Sequence, residues 1–234
     1  MSEVLGRLRW GLIVSVQAYP DSVLNTPETI ALLARCAVAN GAVGVRIEGP
    51  ERIAAVRAAV GVPIVGLLKR AHAGFEPYIT STLEDVAEIA RAGADIVAFD
   101  ATDRPRAGAA TSRDLIAAAR AHGCLAMADC AELADIEQAV ADGADIAATT
   151  LAGYTARTQG RTLPDLDLLA SAALRHPFTA CEGGIAAPEQ AAAAFAAGAS
   201  AVVVGTAITN VDALVRRFAA VVPGAPAFRA RMTT

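Results

Sequence analysis

Eight short aliphatic runs alternate with eight alanine-rich helical segments along the 234 residues, and this alternation predicts a single-domain α/β protein, a (β/α)8 TIM barrel. Two further observations support that class. Gly41, Gly93, Gly143 and Gly198, each followed by Ala and an aliphatic run, stand 52, 50 and 55 residues apart, so one unit recurs around the chain. Every run also begins apolar and ends polar, which would collect the polar ends on one face. A doubly wound open sheet accounts for the pattern less well, because no glycine fingerprint follows the first strand.

Each element follows from its local composition. "GLIVSVQ" at 11–17 reads as the first buried strand, and the helical segment 28–39 ends at Gly41, a residue suited to the left-handed cap. The second strand lies in 40–48, before a helix at 51–60. "VPIVGLLK" at 62–69 is the third strand, followed by a helix at 82–92 that closes at Gly93. The fourth strand lies in 92–100, before a helix at 111–122. "GCLAMAD" at 123–129 precedes the helix 131–142, which closes at Gly143. The sixth strand lies in 142–150, before a helix at 165–175. "PFTACEG" at 177–183 precedes the helix 188–197, and the eighth strand, in 197–205, leads to a last helix at 211–221. Residues from about 223 to 234 read as a short flexible tail.

Composition narrows the partners. Hydrophobic residues make up 54% and aromatic residues only 4%, so the core is aliphatic. A net charge of −4 with no basic run argues against a nucleic-acid partner. No stretch reaches the roughly 18 apolar residues of a membrane span, and "MSEVLGRLRWG" lacks the apolar core of a signal peptide, which together give a cytoplasmic reading. Cys36, Cys124, Cys130 and Cys181 show no metal-ligand spacing and read as small buried hydrophobes in a reducing compartment.

Lys69 is the only lysine; the remaining basic residues are arginine. An amine can lose its proton when desolvated, whereas a guanidinium stays charged. Lys69 ends the third strand, where burial is expected to lower its pKa from about 10.4. Glu182 ends the seventh, diametrically opposite, where desolvation is expected to keep it partly protonated. Gln17, Arg46 and Asp129 end other strands and are expected to point inward with them. Thr102, Asp103 and Thr206 sit where turn and capping residues are common. Gly183 and Gly184 after the seventh strand, and Gly205 with Thr206 after the eighth, let backbone N–H groups approach an anion where barrels commonly seat phosphate. The loop 152–165, with Arg157 and Arg161, is a candidate lid or simply a solvated loop. His122 and His176 fall on the far face and His72 alone lies in a loop near the site, so no metal site and no cofactor are expected.

The segments "LIVSVQA", "GAVGVRIEG", "PIVGLLKR", "IVAFDATDRPR", "LAMADC", "ATTLAGYT", "CEGGI" and "AVVVGTAIT" resemble the N-acylglucosamine-6-phosphate 2-epimerase family from about residue 8 to 220. The resemblance implies a metal-free, usually dimeric barrel of sialic acid and amino-sugar catabolism. Its substrate would be a phosphorylated N-acyl amino sugar, with N-acetylmannosamine 6-phosphate and N-acetylglucosamine 6-phosphate interconverted at C2. It places catalysis on Lys69 and Glu182, and substrate contacts on Gln17, Arg46, Asp129, Gly183 and Gly205, with Thr150, Gly153 and Tyr154 from "ATTLAGYT". The chain departs from the family pattern at Gly184, where arginine is common, at "VQAY" in place of "CQAL", and in its C-terminal residues. A Schiff-base aldolase acting through Lys69, or a non-catalytic phosphosugar sensor, are the alternative readings.

Overall fold

The computed structural model describes residues 2–223. Eight parallel strands pair in chain order and close on themselves: β1 (Gly11–Val16), β2 (Gly44–Glu48), β3 (Ile64–Leu67), β4 (Ile96–Asp100), β5 (Leu125–Asp129), β6 (Ile146–Ala148), β7 (Thr179–Glu182) and β8 (Ala201–Val204). The closing pair runs from Gly11 opposite Ala201 to Val14 opposite Val204. The helices are α1 (Glu3–Leu8), α2 (Pro27–Ala39), α3 (Pro50–Arg57), α4 (Leu83–Arg91), α5 (Ser112–Ala121), α6 (Leu133–Asp142), α7 (Leu166–Ala173), α8 (Pro188–Ala196), α9 (Thr206–Thr209) and α10 (Val211–Ala219). The expected tail lies, beyond Pro223, outside the described residues. Among these, no helix is long and apolar enough to cross a membrane.

β2, β4, β6 and β8 start later than their aliphatic runs, because each Gly–Ala pair belongs to the turn that ends the preceding helix. Gly41, Gly93, Gly143 and Gly198 all have positive φ, between 88° and 103°. Capping fixes the other helix ends. Thr26 caps α2 ahead of Pro27, and Thr82 and Asp85 cap α4 reciprocally.

Strand alternation splits the core into two layers. Ile13, Val65, Leu67, Ile96, Met127, Ile146 and Val203 fill the barrel interior. Val14, Val45, Ile47, Val97 and Ala126 face outward against the helices. Gly66 faces outward too, and a Cβ there would lie 2.7 Å from both Ala94 and Ile89, so glycine lets α4 pack directly on β3. One element was not legible in the sequence. The six-residue α1, capped by Ser2, carries Leu5 and Leu8 into the interior cluster and thereby stoppers the barrel at the strands' N-terminal end. Six residues are too few to display a helical period, so tertiary burial holds this turn in place. With one end plugged, the polar strand ends at the other are left to form the mouth.

Candidate active site

A cavity of about 510 Å³ opens at the C-terminal ends of the strands. Its walls include Gln17, Arg46, Lys69, Thr150, Tyr154 and Glu182, with Gly183, Gly184, Gly205 and Thr206 on the side of β7 and β8. Period-two alternation explains why these side chains meet: Ser15 and Gln17 continue the inward row of Ile13, Lys69 that of Val65 and Leu67, Asp129 that of Met127, and Glu182 that of Ala180.

Arg46 is the centre of the charge arrangement. It is 2% exposed and forks onto Asp129, with Nη1 donating to Oδ1 at 3.0 Å and Nη2 to Oδ2 at 2.7 Å. The same Nη1 stands 3.0 Å from Glu182 Oε2. Burial opposes the charge on Arg46, but Asp129 and Glu182 outweigh it and raise its pKa. Thr150 Oγ1 donates to Asp129 Oδ1 at 2.6 Å and lies 3.2 Å from Glu182 Oε2, joining the two carboxylates to one hydroxyl.

Glu182 is 14% exposed. Desolvation raises its pKa most, Arg46 pulls it down, Asp129 pushes it up again, and the net value is about 7. A carboxyl group in this state is both acid and conjugate base near neutrality. Across the mouth, Lys69 Nζ donates to Gln17 Oε1 at 2.6 Å, while Gln17 Nε2 donates to Ser15 Oγ at 2.7 Å. The Ser15 contact occupies the amide nitrogen, which leaves the carbonyl oxygen for the lysine. Desolvation and the positive charge of Arg46 lower the Lys69 pKa, against the opposing pull of Glu48, Glu182 and Asp129.

Three expectations need correction in detail. Lys69 was expected to be buried, but the residue is exposed, because its stem lines an open mouth rather than the packed core. Its amine is still partly stripped of water by the surrounding walls, so the pKa direction holds. Asp129, expected to touch substrate, is fully buried behind Arg46 and does not line the cavity. Gly153 also lies outside the cavity wall, its N–H donated to Thr158 Oγ1 at 3.0 Å, while its neighbour Tyr154 does line it.

The loop after β6, the candidate lid, reaches the mouth at Tyr154 and is tied elsewhere to its neighbours. Arg157 pairs with Asp103 at 2.7 Å and with Glu132 at 2.6 Å, and Arg161 with Asp165 at 3.1 Å, so these arginines bind the loop after β6 to the loops after β4 and β5. "DATDRPR" is likewise a loop brace: Arg104 donates to Asp100 at 2.6 Å, and Arg106 to the Asp100 and Thr102 carbonyls at 2.6 and 3.0 Å. His122 is the exposed C-cap of α5, and His176 bridges the Ala144 and Phe178 carbonyls, both at 2.9 Å. Cys181 turns away from the cavity into an apolar cluster, and burial pushes its thiol up to about 11, whereas Cys36, expected to be buried, is exposed on α2.

Some wall residues carry no sequence motif. Ser15 could have been found from its two-residue spacing before Gln17. Tyr78 and Ile79 arrive because the chain after β3 folds back, pairing Ile79 antiparallel with Lys69. Asn210 and Arg217 arrive from α10 and its cap, which no strand-end reading reaches.

A family model described as "Putative N-acetylmannosamine-6-phosphate epimerase" matches residues 30–223. The chain is 47% identical over 218 residues to a protein of Synechococcus elongatus bearing the corresponding 2-epimerase name, covering 92% of this chain and 94% of that one. A Yersinia pestis relative of the same name is 45% identical over 212 residues, covering 91% and 90%. Among solved structures, the N-acetylmannosamine-6-phosphate 2-epimerase from Clostridium perfringens superposes with a TM-score of 0.90 at 33% identity, covering 94% of this chain and 97% of that one. With a closed barrel, a matching span of this length and identities at this level, the chain belongs to the N-acetylmannosamine-6-phosphate epimerase family.

Proposed function

We propose that this protein interconverts N-acetylmannosamine 6-phosphate and N-acetylglucosamine 6-phosphate, with Lys69 and Glu182 moving the proton at C2. One observation carries the assignment of roles: an amine with a lowered pKa and a carboxyl group titrating near 7 stand on opposite walls of one cavity, each influencing the other's charge. Inversion at C2 needs a proton removed from one face and returned to the other, and two groups on facing walls do this without turning the sugar over. The C1 aldehyde of the open-chain sugar acidifies the C2–H bond. Neutral Lys69 takes the proton, charge grows on the C1 oxygen, and protonated Glu182 delivers a proton to the other face; the reverse reaction exchanges the roles. Arg46 supplies a fixed positive charge that opposes the growing negative one. Its fork onto Asp129 holds the guanidinium still and positions Glu182.

The phosphate lies against Gly183, Gly184, Gly205 and Thr206. In support, the N–H groups of Gly183, Gly184 and Thr206 donate to no acceptor among the described residues. The protein acts in the cytoplasm in amino-sugar breakdown, as a homodimer. Exposed Val211, Val215 and Phe218, at i, i+4 and i+7 of α10, support the dimer, and light scattering on a Phe218→Asp variant tests it.

The reaction is tested in deuterated water by proton NMR. The expected product carries deuterium at C2. Absence of product would overturn the function, and product without deuterium would overturn solvent-exchanging acid–base groups as the proton carriers.

A further inference from the structure

The cations around the cavity are not equally committed. Arg46 is held by Asp129 and Glu182, and Lys69 donates to Gln17. The third cationic wall residue is Arg217 on α10. Among the described residues its guanidinium makes no hydrogen bond or ion pair.

At the β7 and β8 side the wall offers Gly183, Gly184, Gly205 and Thr206, which bring N–H groups but no charge. Position 184 has no room for a charged side chain. Gly184 has φ +75°, and a Cβ there would meet the Leu163 Cβ at 2.2 Å and its carbonyl carbon at 3.1 Å. A phosphate seated on neutral donors alone lacks a counter-charge, and a charge-assisted fork from arginine is the stronger contact.

The geometry of α10 brings Arg217 to the cavity. Asn210 caps the helix, and Arg217 lies seven residues further on, which returns it to the same helical face; both line the cavity. The adjacent Arg216 stacks 4.8 Å over the ring of Tyr19, itself a wall residue in the loop after β1. Tyr19 is one of the positions at which the chain departs from the pattern it resembles, and its stack holds α10 against the mouth.

We propose that Arg217 is the cationic contact for the substrate's phosphate and sets the preference for the phosphorylated sugar, a charge that no side chain at position 184 can supply here. The identity of the sugar rests on the function proposed above; the anion subsite does not. The test compares wild type, Arg217→Gln and Arg217→Lys. The readouts are kcat and KM for N-acetylmannosamine 6-phosphate and the affinity for inorganic phosphate by calorimetry. In Arg217→Gln the KM is expected to rise about 10- to 100-fold with kcat little changed, and phosphate affinity to fall in parallel. Arg217→Lys, which keeps the charge but not the fork, is expected to fall between. An unchanged KM and unchanged phosphate affinity in folded Arg217→Gln would overturn the proposal. If that variant fails to fold, Arg217→Met, with a similar apolar stem, is read by the same criterion. Wild-type protein that binds phosphate through Arg217 but does not epimerise would sink the function while leaving the subsite standing.

Discussion

At Lys69 the balance lies between desolvation, which favours the neutral amine, and the carboxylates Glu48, Glu182 and Asp129, which favour the ammonium. An arginine in its place would keep the charge but could not act as a base. Lys69→Arg is therefore expected to fold normally by circular dichroism and to lose about 10²- to 10⁴-fold in kcat. The wild-type pH profile follows from the same two groups. Below pH 7 the Lys69 amine is increasingly protonated and the rate climbs with pH. Above about 7 the growing neutral fraction of Lys69 is offset by the loss of the Glu182 proton, giving a plateau. Beyond the lowered Lys69 pKa the rate falls. A profile with no bend near pH 7 would count against Glu182. These two candidates stood out in the sequence because one was the only lysine and both follow aliphatic runs; in the structure Glu182 ends β7 and Lys69 lies two residues past the end of β3. For Ser15, which fixes the orientation of the Gln17 amide, the sequence offers only its two-residue spacing before Gln17, and the contact itself shows only in the structure.

At the level of elements, Lys69 depends on the segment that folds back beside β3. Thr80 N–H donates to the Leu68 carbonyl at 2.8 Å, Leu68 N–H donates to Thr80 Oγ1 at 3.0 Å, and Arg70 N–H donates to the Tyr78 carbonyl at 2.8 Å. This short antiparallel bridge clamps the backbone on both sides of the catalytic candidate. Thr80→Val keeps the shape but leaves the buried Leu68 N–H without its acceptor. The expected cost is about 1–3 kcal/mol in urea unfolding at unchanged m, with kcat reduced through a looser Lys69. An unaltered midpoint would show that the clamp is not needed. The strands and main helices were readable from aliphatic runs and capping glycines. The fold-back was not, because residues 70–81 carry no period and their structure comes from pairing with a strand already in place. The anchoring of the loop after β6 was not readable for a related reason: arginines in a sequence do not say which carboxylates they will find.

For the molecule as a whole, placing Glu182 among other charges in a water-poor mouth is a liability for stability. Its folded pKa, about 7, lies above the ordinary glutamate value of 4.5. Between those values the folded state binds more protons than the unfolded state, so stability falls as pH rises through this window. The deficit is complete above pH 7 and absent well below 4.5. Glu182→Gln is thus expected to be more stable than wild type at pH 8, by on the order of 2–3 kcal/mol, with the difference vanishing near pH 4. Equal melting temperatures at both pH values would show that the carboxylate is comfortable when charged. By itself, the sequence determined the alternation of strands and helices, the barrel class, the inward row of polar strand ends and the lone amine, because these depend on local period, capping and residue type. Only the tertiary structure decided that Asp129 is hidden behind Arg46 instead of facing substrate, that Gly184 excludes a side chain, and that α10 brings a third cation to the mouth. Those outcomes depend on barrel closure and on how helices seat against it, and packing of that kind joins residues whose separation along the chain holds no trace of their contact.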